Sequence, residues 1–77
     1  MKNNVELTLI MNSNNYNPEM EESMRLFADT LNERDLRHYA AVEALKLGHG
    51  GISYLSNLFK IDPKTISKGL KEIKKKL

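Results

Sequence analysis

Cysteine and tryptophan are absent from the 77 residues, proline occurs only twice and glycine only four times. Without thiols the chain has neither a disulfide framework nor a thiolate metal site, and a reducing cytoplasmic setting is permitted. No segment approaches the ~20 consecutive apolar residues of a membrane span. The opening stretch from Met1 to Met11 is too short, and too interrupted by Glu6, for a secretory signal. A cytoplasmic protein that engages no membrane is expected. His38 and His49 stand at no metal-ligand spacing and are expected at the surface. Ser53, Ser56 and Ser67 lack a histidine placed to activate them. The carboxylates of so small a helical chain have no evident pocket in which to converge on a reaction. The sequence therefore assigns no catalytic residue, no cofactor and no metal, and the chain is not expected to be an enzyme.

What is present fits one small domain, near the lower limit for burying an adequate core without staples. Val5, Leu7 and Leu9 alternate with Glu6 and Thr8 as in a short strand, but the polar run from Asn12 to Asn17 interrupts regular structure. Residues 1 to 17 are expected to form a flexible arm, or to pair with the same arm of a second copy in a homodimer. Residues 18 to 77 are expected to form the folded domain.

Asn17-Pro18-Glu19 is a helix start: a side-chain cap, a residue preset for the first turn, and acids at the positive helix end. Met20, Met24, Phe27 and Leu31 give this helix an apolar face to about Leu31, after which Asn32 caps the next. The second helix runs from about Glu33 to Leu47 and stops at Gly48. Leu36, Ala40 and Leu47 lie on one side, with Ala41, Val42 and Leu45 around the other. Both sides are expected to pack, making this the central helix. Glu43 falls beside the Leu36 stripe, where burial demands a partner, and Tyr39 brings an apolar ring with a polar tip.

Gly48-His49-Gly50-Gly51 lacks the lysine and hydroxyl of a phosphate loop and follows a helix, so it reads as a connector. Beyond it, residues 52 to 70 describe two short helices joined at Lys60, Ile61 and Asp62, with Asp62 as cap and Pro63 at the first position of the second helix. That is the layout of a helix-turn-helix. At roughly 100° per residue, Ile66, Leu70, Ile73 and Leu77 share one side of the last helix. Lys64, Lys68, Lys71 and Lys75 occupy the opposite side, flanked by Thr65, Ser67 and Glu72.

A lysine row is ordinarily the solvated face of a surface helix. Here the charge is of nearly one sign and begins where the capped helix begins. The formal charge is only +2 overall, but up to Asp62 six basic residues face nine carboxylates, whereas from Pro63 onward six lysines face Glu72 alone. Attraction for phosphate is thereby concentrated on one element.

Four motifs occur in order. They are Leu31-Asn32-Glu33, Tyr39-Ala40-Ala41-Val42-Glu43-Ala44, Gly48-His49-Gly50-Gly51-Ile52, and Thr65-Ile66-Ser67-Lys68-Gly69-Leu70-Lys71-Glu72. Together they resemble the N-terminal region of Rhodopirellula-type DDE transposases. The resemblance implies a DNA-binding domain that holds transposon ends, with the family's carboxylate catalytic core lying beyond residue 77. Lys60 departs from it, standing where such turns usually carry glycine.

The expected fold is all-α: a tri-helical helix-turn-helix domain with one additional N-terminal helix and a flexible arm. The expected partner is double-stranded DNA. Lys64, Thr65, Ser67, Lys68 and Lys71 enter the major groove and Lys75 reaches phosphate. The N–H groups of Gly51 and Ser53 contact phosphate at the start of the preceding helix. The competing expectation is a protein-interaction or dimerisation domain without DNA binding.

Overall fold

A computed structural model of the chain describes residues 16–75. Among these residues the fold is all-α, with four helices: α1 (Pro18–Ala28), α2 (Glu33–Leu47), α3 (Gly51–Phe59) and α4 (Pro63–Lys75). The alternating segment from Val5 to Leu9, most of the expected arm, and Leu77 lie outside the described residues.

Three side chains start three of the helices. Asn17 Oδ1 accepts the Met20 N–H at 2.8 Å, Asn32 Oδ1 accepts the Asp35 N–H at 2.8 Å, and Asp62 Oδ1 accepts the Lys64 N–H at 2.8 Å. Each satisfies an N–H that has no carbonyl one turn earlier. α1 ends at Ala28, short of the expected Leu31. The reason is local: the Thr30 N–H and hydroxyl both donate to the Phe27 carbonyl, at 3.0 and 2.7 Å, and the Leu31 N–H donates to Ala28 at 3.1 Å. These three-residue bonds tighten the backbone and leave Asn32 free to open α2.

The buried stripe of α1 is Met24 and Ala28, with Glu21 half-buried beside it. Met20 and Phe27, expected to face inward with Met24, are 47% and 51% exposed. The chief partner of α1 is α3, not α2. Tyr16, expected to belong to the flexible arm of residues 1 to 17, instead packs against the core and joins this contact. Its N–H donates to the Tyr54 hydroxyl at 3.1 Å, its own hydroxyl donates to Glu43 Oε1 at 3.0 Å, and the Tyr54 hydroxyl donates to Glu21.

α2 is the central helix and packs most extensively on α4, then on α3. It does so through Ala40, Ala41 and Ala44, whose small side chains let neighbouring backbones approach. Val42 and Leu45 differ from expectation, being 45% and 52% exposed. On the side that they share with Ala41, only Ala41 is covered, so the buried face of α2 stops at that residue. Glu43 is buried, and finds its partners in Tyr16 and in Lys46 Nζ at 3.2 Å. Tyr39 bridges Phe27 and Phe59, with ring centroids 5.0 and 5.5 Å apart.

Leu55 of α3 and Ile66 of α4 are the largest side chains fully removed from solvent, and they form the centre of the core with Met24, Ala40, Ala44 and Leu58. Leu70 and Ile73 are half-buried. The connection from α3 to α4 turns at Lys60, whose φ of 57° and ψ of 48° are left-handed. The N–H groups of Lys60 and Ile61 both donate to Ser56 O, and Ser56 Oγ donates to Ile61 O at 2.7 Å. These bonds fix the angle at which α4 leaves the turn.

Candidate nucleic-acid interface

The outer face of α4 is a lysine surface. Lys64, Lys68, Lys71 and Lys75 are all exposed, and they share an arc of roughly 60° at about 100° per residue. Lys74 is exposed on the flank. No ion pair among the described residues engages any of these five. Their ammonium groups are held outward because Ile66 and Gly69 are buried on the reverse side and Leu70 and Ile73 are half-buried there.

Glu72, the only acid in α4, forms no ion pair with these lysines, although Lys68 is near enough to attract it. It points to α2, where Arg37 Nε donates to Oε1 at 2.8 Å, Arg37 Nη2 lies 3.4 Å from Oε2, and His38 Nε2 lies 2.9 Å from Oε1. Hydrogen bonds from Arg37, then from His38, hold the Glu72 carboxyl below its ordinary range, against the opposing effect of burial. His38, expected as a plain surface residue, is half-buried in this cluster. The sequence offered one signal for it. A lone acid on a lysine helix, on the flank between the lysine row and the apolar side, calls for a cation on the neighbouring element; that the cation is Arg37, 35 residues away, is legible only in three dimensions.

Thr65 and Ser67 are not on the outer arc. Both are half-buried, and Thr65 lines a shallow cleft with Glu33, Leu36, Arg37, Ile61, Asp62 and Lys68. They take the flanking places that the helical period gives them, Thr65 on the side toward α2 and Ser67 on the other. The expectation that the Gly51 N–H contacts phosphate is corrected. Its N–H donates to Gly48 O at 2.9 Å, and the residue is buried so close to α2 that a Cβ would stand 2.9 Å from Ala44 O. Ser53 is exposed at the start of α3. Among the described residues there is no group of three or more His, Cys, Asp or Glu able to hold a metal, and no helix long and apolar enough to cross a membrane.

Comparison with models of known protein families, with curated proteins and with solved structures returns no match.

Proposed function

We propose that this chain is a DNA-binding module in which α3, the turn at Lys60 and α4 act as a helix-turn-helix, with α4 offered to the major groove of a duplex. The observation that carries this reading is the outer face of α4: four lysines on one narrow arc, without ion-pair partners among the described residues. A helix is about 10–12 Å across with its side chains and fits a major groove about 12 Å wide. The transposase-like motifs support the same reading, because two of them form the central helix and α4. On this reading Lys64, Lys68, Lys71 and Lys75 contact the duplex and Ser53 contributes a phosphate contact from α3.

The test is titration of a labelled duplex at several salt concentrations. Lys68→Ala with Lys71→Ala removes two contacts and lowers the salt slope by about 1.8, at ~0.9 per phosphate. Unchanged affinity and slope in the double variant refute the assignment.

A second reading has its own observation. Val42 and Leu45 on α2, with Leu26 and Phe27 on α1, are exposed apolar side chains outside the lysine face. They favour a protein-interaction or dimerisation domain. That reading requires self-association or partner binding that is lost in Val42→Glu with Leu45→Glu, while duplex binding is absent throughout.

A further inference from the structure

We infer that α4 grips the phosphate backbone of its duplex and is nearly indifferent to base sequence. The inference rests on the duplex-binding reading and specifies its ligand further.

Base edges are read most selectively by side chains that present paired donors, or a donor beside an acceptor, in fixed geometry. Arginine, asparagine and glutamine do this best, and α4 contains none of them. Its other polar side chains are turned from the outer arc or already engaged. Thr65 lines the cleft against α2, Ser67 is half-buried on the opposite flank, and Glu72, which would accept from cytosine, is held by Arg37 and His38. Only ammonium groups remain on the arc.

An ammonium group on a four-carbon stem is a mobile point charge with three donors and no acceptor. It can reach guanine, but any phosphate oxygen satisfies it as well, and phosphates flank every groove position. The row is also long and narrow. Lys64 to Lys75 covers about 16 Å at about 1.5 Å per residue, whereas the arc is roughly 60° wide. Such a row follows one line of charge, and it lacks the mixture of side chains that would address a groove floor and both walls together.

The experiment takes the duplex most enriched by selection from a random pool and a duplex of equal length and base composition but permuted sequence, each titrated with the full chain across a salt series. Each is compared with the Lys64→Ala, Lys68→Ala, Lys71→Ala, Lys75→Ala variant, whose fold is checked by circular dichroism. The expected result is affinity for the two duplexes within about threefold, a common salt slope near 3.6 for four contacts at ~0.9 each, and loss of that slope in the variant. Thr65→Ala and Ser67→Ala are expected to leave the affinity ratio unchanged. A preference above about a hundredfold for one duplex overturns the inference and leaves duplex binding standing. Absence of binding to either duplex overturns both.

Discussion

Gly69 of α4 lies against the backbone of Arg37 in α2, so close that a Cβ on Gly69 would stand 2.6 Å from the Arg37 carbonyl oxygen. The same residue pair marks where the two helices cross, and the Arg37 side chain reaches along α4 to Glu72. In a solvated helix, glycine to alanine gains ~1 kcal/mol. Here the sign reverses, because the obstacle is backbone and the helices must separate. Gly69→Ala is expected to destabilise the fold by ~1–3 kcal/mol, the usual range for overpacking, and urea denaturation measures it. A stabilised variant would mean that the helices cross less closely.

Lys60 gives the opposite case. Its left-handed backbone costs a residue with a Cβ about 1 kcal/mol relative to glycine, and the side chain is exposed. Lys60→Gly is expected to raise stability in the same denaturation experiment, by less than ~1 kcal/mol because glycine adds freedom to the unfolded chain.

Core truncations are expected to rank by burial. Leu55→Ala and Ile66→Ala remove side chains with no exposure and are each expected to cost ~2–5 kcal/mol. Leu70→Ala, at a half-buried position, should cost less than either. Equal losses at Ile66 and Leu70 would contradict the placement of the apolar side of α4.

Stability should fall at both ends of the pH scale for identifiable reasons. The Glu72 carboxyl is lowered in the folded state. Its contribution is present above the ordinary glutamate pKa of about 4.3 and is lost as pH falls through the lower folded value. Glu72→Gln should flatten the acid limb. At the alkaline end, burial and then the bond to Glu21 push the Tyr54 hydroxyl up to about 12. That contribution is intact below about 10 and disappears as pH rises toward 12. Tyr54→Phe should remove it, as followed by thermal unfolding across the series.

The helix starts were legible because Asn17, Asn32 and Asp62 act on N–H groups two or three residues away, an interaction contained in the local sequence. α2 likewise ends where Gly48 said it would. The facing of α1 was harder. Met20, Met24 and Phe27 satisfy the helical period equally well whichever of them is covered, and the choice of Met24 and Ala28 depends on α3 and on the Tyr16, Tyr54 and Glu21 contacts. Val42 and Leu45 misled for a related reason: apolar character does not say which face a neighbour will reach, and the alanines admit closer packing. The lysine row followed from periodicity alone. The flanking places of Thr65 and Ser67 followed from it too, but their partial burial did not, since that depends on the positions of the neighbouring helices.

The most direct measurement is a titration of unlabelled duplex into the isotopically labelled chain, followed residue by residue by nuclear magnetic resonance. Shifts concentrated at Lys64, Lys68, Lys71 and Lys75, weaker at Ser53 and fading as salt rises, are the expected result. Shifts centred on Val42, Leu45 and Phe27, or none at a duplex excess, would contradict the assignment of the outer face of α4 as the binding surface.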